Sequence, residues 1–222
     1  MIMQVGLRRQ QMGRALRWSG LLFIGFLTVT QQVMSNGPLI DVDARIAEAQ
    51  RHQFGGIADF ALRKLDNLGL RGLTGTILII AAILISRQFK SWRPLNLAIL
   101  ALLSLNFVVG VSKLAIGRTK PRLNIDLIHA GGMSYPSGHA SNALLSWGIL
   151  AYLIYRYTHR EVFHGRVLAI MVGAITVTVC VVSLIRTTHW FSDLVGGLFI
   201  GGSLLVLIIA IDRYFPSERQ PS

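Results

Sequence analysis

Six apolar stretches, each near the length of a membrane span, constrain this 222-residue chain more than any other feature. A helix needs roughly 20 mostly apolar residues to cross the hydrocarbon core of a bilayer. Inside that core each backbone N–H and C=O must find its partner within the protein, which leaves helices as the natural spanning element. The stretches run from about Arg17 to Met34, Leu70 to Ser86, Pro94 to Ile116, Ala140 to Tyr157, Arg166 to Ile185 and Asp193 to Ile211. Thr28, Thr30, Gln31 and Gln32 weaken the first. Its basic flank also suits a secretory signal, but Val33-Met34-Ser35-Asn36 lacks a small-x-small cleavage site, so an uncleaved anchor is expected. Hydrophobic residues make up 52% of the chain and charged residues only 14%, too little charge for a soluble domain of this length. The expected fold is all-α: a single polytopic membrane domain over 1–222, with a six-helix transmembrane bundle and a short extracytoplasmic amphipathic helical segment.

A net charge of +12 raises the question of nucleic acid. The placement of the basic residues answers it. Arg8, Arg9, Arg14 and Arg17 precede the first apolar run, and Arg87, Lys90 and Arg93 separate the second from the third. Arg156, Arg160 and Arg166 separate the fourth from the fifth, and Arg213 and Arg219 follow the last. Short basic connections between spans are what the positive-inside rule produces, not a nucleic-acid face. By that rule both termini and the connections 87–93 and 156–166 are expected in the cytoplasm of a bacterial-type plasma membrane, with 35–69, 117–139 and 186–192 outside. Arg118, Lys120, Arg122 and Arg186 break the rule locally, which suggests that they have work to do. Cys180 is the only cysteine, so an intrachain disulfide and a cysteine metal site are both excluded.

The outer stretch 35–69 is not featureless. Asp41 or Asp43 is placed to cap a helix through Ala44-Arg45-Ile46-Ala47-Glu48-Ala49, and Phe54, Ile57, Phe60 and Leu62 follow among polar residues. An interfacial amphipathic helix and a packed connector over the bundle both fit.

Three clusters carry chemistry. Lys113 lies in the last turn of the third span and is followed by Gly117-Arg118-Thr119-Lys120-Pro121-Arg122. Alone it is a snorkelling lysine; with that basic run it resembles half of an anion pocket. Tyr135-Pro136-Ser137-Gly138-His139-Ala140-Ser141 opens the fourth span. Pro and Ser are ordinary helix-start residues. A helix N-terminus also presents unpaired N–H groups to an anion, Gly138 permits close backbone approach, and His139 supplies a proton at the same place. Arg186-Thr187-Thr188-His189-Trp190-Phe191-Ser192-Asp193 opens the sixth span. In a helix His189 and Asp193 sit one turn apart, so the carboxylate can hold one imidazole nitrogen protonated and free the other as a nucleophile or base. Asp193 at the mouth of an apolar span calls for a partner, whereas Trp190 reads as an interfacial belt residue. The third span ends outside, and the fourth and sixth begin there. Topology therefore converges the three clusters, an arrangement suited to phosphoryl transfer through a histidine.

This pattern resembles the type-2 phosphatidic acid phosphatase superfamily, whose membrane members have six spans. Its signature is a Lys with Arg-Pro seven residues on, then Pro-Ser-Gly-His, then Ser-Arg followed by His and Asp. Pro136 to His139 match completely, the spacing of His189 to Asp193 matches, and the likeness extends from about Asp41 to Ile211. It implies that His189 is the nucleophile, that Asp193 orients it and that His139 protonates the leaving oxygen. Lys113, Ser137 and the Gly138 amide would hold the phosphate, with no metal and no cofactor. Two positions depart: Lys120 stands before Pro121 in place of Arg, and Val182-Ser183 stands in place of Ser-Arg. Lys keeps the charge but loses the bidentate fork, and Ser183 keeps neither. Arg186, one turn on, and Arg118 are the candidates to replace the lost guanidinium groups.

The implied function is a metal-independent phosphohydrolase acting on a lipid phosphate or diphosphate such as a polyprenyl diphosphate, phosphatidylglycerophosphate, phosphatidic acid or lipid A. The alternatives are a lipid-linked phosphotransferase and a catalytically weakened lipid phosphate-binding protein. Expected partners are the lipid substrate and membrane lipids.

Overall fold

The computed structural model describes residues 2–49, 55–121, 126–157 and 165–215, and all described regular structure is helical. Phe54, Arg122, Arg160 and Arg219 lie outside the described residues, as does most of the connection 156–166. Eight α-helices follow in chain order: α1 Ile2–Met34, α2 Pro38–Ala49, α3 Gly56–Asp66, α4 Arg71–Gln88, α5 Arg93–Ile116, α6 Gly138–Tyr157, α7 Gly165–Ile185 and α8 Phe191–Tyr214. A single 3₁₀ turn, Asn67–Gly69, joins α3 to α4.

The expected apolar stretches and the observed helices agree within a few residues except at α1, which reaches back from Arg17 to Ile2. Leu, Arg, Gln, Met and Ala dominate that extension, and these residues carry a helix onward where apolarity ends. α2 corrects the capping expectation. The helix starts at Pro38, a residue favoured in the first turn, so Asp41 and Asp43 both fall inside it. Leu39 and Ile40 pack against the core, and Asp43, three and four residues on, shares that inward face.

Four helices, α4, α5, α7 and α8, are long and apolar enough to cross a membrane, with mean hydropathy between 1.2 and 2.6 over their best windows. α6 falls outside that set because it lies at the centre of the bundle. It packs against α4, α5, α7 and α8, and its buried residues include Ser141, Asn142, Ser146 and Gly148. A helix surrounded by helices needs small residues more than greasy ones. The outward faces are the reverse. Phe107 is 71% exposed, Leu114 75% and Ile170 70%, an apolar exterior that water does not favour and lipid does.

α8 is sandwiched between α1 and α6. Ser19 of α1 and Ser203 of α8 exchange hydrogen bonds, each hydroxyl donating to the other's carbonyl at 3.0 and 2.9 Å. On the opposite side α8 meets the start of α6 through glycine. A Cβ on Gly197 would lie 2.6 Å from the Ser137 carbonyl oxygen, a backbone atom that cannot yield cheaply, so only glycine permits this approach.

At the far end of α8, Asp212 is 5% exposed and gathers Arg93 of α5 and both Tyr152 and Arg156 of α6. Its Oδ1 accepts from Arg93 Nε at 2.5 Å and its Oδ2 from the Tyr152 hydroxyl at 2.6 Å. Asp212→Ala is expected to destabilise the protein by about 1–3 kcal/mol, since two half-buried arginines lose their counter-charge. Phosphate chemistry should be spared, because 19 helical residues at 1.5 Å each put Asp212 about 28 Å from Asp193. Thermal unfolding in detergent, read beside turnover, checks both halves of that expectation.

Candidate active site

The ends of α5, α6 and α8 meet where the sequence places its three clusters. α5 stops at Gly117, whose left-handed φ of 58° lets its N–H cap the Lys113 carbonyl at 2.9 Å. The chain then folds back on itself. His129 N–H donates to the Ile116 carbonyl at 2.8 Å, Gly132 N–H to Gly117 at 3.0 Å and Ser134 N–H to Arg118 at 3.0 Å. Ser137 follows, and its N–H donates to the Asp193 carbonyl at 2.9 Å, fixing the start of α6 on the first turn of α8. Its hydroxyl accepts the Ala140 N–H at 3.3 Å, a helix-start bond, so Ser137 is fully buried as a cap.

Asp193 is the organising residue. It is 0% exposed at the third position of α8. Its Oδ2 accepts the Trp190 N–H at 3.0 Å, the Ser134 hydroxyl, and His189 Nδ1 at 3.4 Å. Its Oδ1 accepts Arg118 Nη1 at 2.8 Å. One carboxylate thus caps α8, holds an imidazole and pairs an arginine. A carboxylate on Nδ1 keeps the proton there and leaves the Nε2 lone pair available. The His189 ring faces that of His139, with centroids 5.9 Å apart and planes tilted by 57°. His139, in the first turn of α6, is half-buried and His189 is buried.

Lys113 is half-buried, donates to the Met133 carbonyl, and is near enough for its charge to act on Asp193 and Lys120. Lys120 is exposed at the rim. His139 feels both lysines and Asp66. The structure therefore brings His189, Asp193, His139, Ser137, Gly138 and Lys113 together, with Lys120 at the edge.

The two arginines proposed as replacements stand elsewhere than the sequence suggests. Arg186 Nη1 donates to Asp66 Oδ2 at 2.7 Å, and the Ser183 hydroxyl donates to Oδ1 of the same carboxylate at 3.0 Å. The family-arginine position and its would-be substitute thus share one acid at the end of α3. Arg118 is 0% exposed and enclosed by acids. Nη2 donates to Asp43 Oδ2 at 2.7 Å, Nε to Asp126 Oδ1 at 2.8 Å and Nη1 to the Ser192 hydroxyl at 2.7 Å, besides its bond to Asp193. Its guanidinium lies 5.2 Å from the Trp190 ring centre. Trp190 is itself buried, with its indole N–H on the Thr119 carbonyl at 2.9 Å, and so is not the belt residue expected. Burial works against the charge on Arg118, yet hydrogen bonds to Asp126 and the charges of Asp193 and Asp43 hold its pKa above the ordinary arginine value. With every direction of its fork engaged, Arg118 is placed to hold Asp193 and not a substrate phosphate.

Sequence reasoning missed Asp43, Asp66, Asp126, Ser134 and Ser192. For Asp43 a signal existed: an acid on the Leu39–Ile40 face of an amphipathic helix must be paired inside. Asp126 stands only eight residues beyond Arg118 but in a loop, where no regular spacing signals a pair, and Asp66, Ser134 and Ser192 are loop or helix-end residues whose partners lie dozens of positions away.

The model of the PAP2 superfamily matches residues 94–216, more than half of the chain, and takes in all three clusters. The chain belongs to the PAP2 superfamily. It is an integral membrane protein of that family, with four helices able to span. The matched region begins at Pro94, so the likeness expected from Asp41 onward does not extend to α2, α3 or α4 at the level of the family model. Among curated proteins, phosphatidylglycerophosphatase B of Bacillus subtilis (strain 168) is 29% identical over 94 residues, 42% of this chain and 46% of that protein. The match therefore spans about half the length of that relative. Among solved structures, the first transmembrane PAP2 type phosphatidylglycerolphosphate phosphatase from Bacillus subtilis superposes with a TM-score of 0.79 at 22% identity. That alignment covers 90% of this chain and 98% of the other, which extends the shared PAP2 fold well beyond the segment matched in sequence.

Proposed function

We propose that this protein is a membrane lipid phosphatase that works without a metal through a phosphohistidine on His189. The observation that carries this reading is the His189–Asp193 pair facing His139 across the N-terminus of α6, with ring centres 5.9 Å apart. His189 Nε2 attacks phosphorus as the bond from phosphorus to the lipid oxygen breaks, and His139 gives its proton to that oxygen. Water then attacks the phosphohistidine, His139 takes a proton from it, and the P–N bond breaks to return His189. In this reading Lys113, Lys120 and the Ser137–Gly138 turn meet the charge that gathers on the phosphoryl oxygens, an electrostatic role that needs prepositioned donors. Arg186 can act there only by sharing itself with Asp66.

Six spans in this reading are α1 and α4 to α8, with α2 and α3 lying over the outer ends. Both termini are cytoplasmic and the site is extracytoplasmic, as the basic connections indicate. Ile57 is 87% exposed and Phe60 61% on α3, which supports contact with the membrane interface. The names of the two Bacillus subtilis relatives support phosphatidylglycerophosphate as the first lipid to try.

Phosphate release from a panel of lipid phosphates, in detergent with a chelator present, tests the reading. Turnover that survives chelation supports it, and the best substrate defines the headgroup. Loss of activity on chelation, or lipid binding by a folded protein with no release, defeats it. Consumption of the donor lipid without free phosphate would indicate transfer to another acceptor. The mechanism also demands a neutral His189 and a protonated His139, so turnover should fall on both sides of an optimum. A flat profile from mildly acid to mildly alkaline pH would remove the assignment of the two histidines.

A further inference from the structure

We infer that Asp43, on α2 and outside the segment that the family model matches, is a positioning residue for the His189–Asp193 pair. The inference rests on the histidine mechanism proposed above. Asp43 is 1% exposed, and its contacts are few and specific. Oδ1 accepts the Ser192 N–H at 2.8 Å, and Oδ2 accepts both the Ser192 hydroxyl at 2.5 Å and Arg118 Nη2 at 2.7 Å. Ser192 immediately precedes Asp193, and Arg118 Nη1 reaches both Ser192 at 2.7 Å and Asp193 at 2.8 Å.

Asp43, Arg118 and the Ser192–Asp193 turn therefore close a ring of hydrogen bonds. Its members come from three parts of the chain that are 75 and 149 residues apart. Within that ring the guanidinium fork has one orientation. Nη2 is shared by Asp43 and Asp126, and Asp126 also holds Nε, so the two acids together aim Nη1 at Asp193, and the Asp193 carboxylate is held in turn with Oδ2 toward His189. Planar bidentate geometry makes arginine suited to such transmission. The backbone bond from Ser192 adds a second hold, because a carboxylate on an N-terminal amide of α8 also meets the positive end of the helix dipole. Asp43 touches neither histidine, so any effect it has on turnover passes through Arg118 and the first turn of α8. α2 is thereby part of the catalytic frame and not merely a cover over the bundle.

Removal of the Asp43 charge should loosen the aim of His189 without altering the lysines that meet the phosphate. For Asp43→Asn in the full-length protein in detergent, the expected result is a kcat about 10-fold lower with KM for the lipid within about twofold, the pattern of a lost transition-state alignment. Asp43→Glu should recover part of that loss. Because most of the effect runs through Arg118 and only the hold on Ser192 is independent of it, the double variant Asp43→Asn with Arg118→Gln should turn over only slightly more slowly than Arg118→Gln alone, well short of the product of the two single losses. Unchanged kcat in a folded Asp43→Asn protein, or losses that multiply in the double variant, would overturn the inference. Should Asp43→Asn fail to fold, Ser192→Ala decides, since it removes the bridging hydroxyl and keeps every charge: kcat about threefold lower with KM steady supports the ring, and unchanged kcat overturns it. An active His189→Ala protein would instead remove the histidine mechanism itself, so the two failures are distinguishable.

Discussion

His189→Ala is expected to lower phosphate release by at least about 10³-fold while leaving the protein folded and able to bind lipid phosphate. The size of the effect follows from the role. A nucleophile that forms the covalent intermediate has no substitute in the site, and removing such a group commonly costs several powers of ten. His139 cannot take over, because Asp193 touches only the His189 ring. Folding should survive, because the lost contact is the longest of those Asp193 makes, 3.4 Å, and its bonds to Arg118, Ser134 and Trp190 remain. Rapid quench with a lipid carrying labelled phosphorus gives an independent check. The natural protein should carry an acid-labile, alkali-stable label and the variant none. A variant that keeps a tenth of its turnover would end the case for His189 as nucleophile.

Asp193→Asn should cost both activity and stability, and in this it differs from the first variant. The carboxylate accepts from four groups through two oxygens. An amide has one oxygen and an NH₂ that cannot accept. If the oxygen stays on Arg118, the NH₂ confronts the Trp190 N–H and the Ser134 hydroxyl. If it turns to them, the NH₂ confronts a fully buried guanidinium. Either choice strands a buried donor and removes one of three carboxylates around Arg118, a change worth about 2–4 kcal/mol. Turnover should fall by about 10²- to 10⁴-fold, the range expected when a histidine loses the acid that fixes its tautomer. Circular dichroism melting together with initial rates separates the two effects. A stable, active Asp193→Asn protein would show that the four bonds have no bearing on function.

Much of the frame was legible because membrane spans announce themselves by composition. The starts of α5, α6 and α7 fall within two residues of the apolar boundaries. The helix-start residues Pro136 and Ser137 could be located because local rules govern caps. Helical spacing pairs His189 with Asp193, but His189 precedes α8, which begins at Phe191, and meets Asp193 because that carboxylate folds back over the start of the helix. What stayed hidden was long-range. Nothing near Arg118 in the chain indicates that its partners include Asp43, 75 residues back, and Asp193, 75 residues ahead. A basic residue in an outer loop next to a phosphate motif looks like a phosphate ligand until its burial is known. α2 misled for a related reason. Acids near a helix start are usually caps, yet Pro38 had already begun the helix and left Asp43 to face inward.

The pairing of α1 with α8 has a consequence for how the protein is made. Ser19 and Ser203 are 184 residues apart, so during synthesis α1 finds its main partner only after α8 has been made. The same delay applies to Asp43 and Arg118, which must wait for Ser192 and Asp193 before their charges are fully neutralised. Assembly of the bundle resembles the closing of a clasp, with entropy charged for a loop nearly as long as the chain. A nascent chain halted before α8 would present a paired but incomplete set of buried charges and an α1 without its main partner. In the proposed mechanism, the pairing of His189 with Asp193 and the completion of the bundle therefore arrive in the same step.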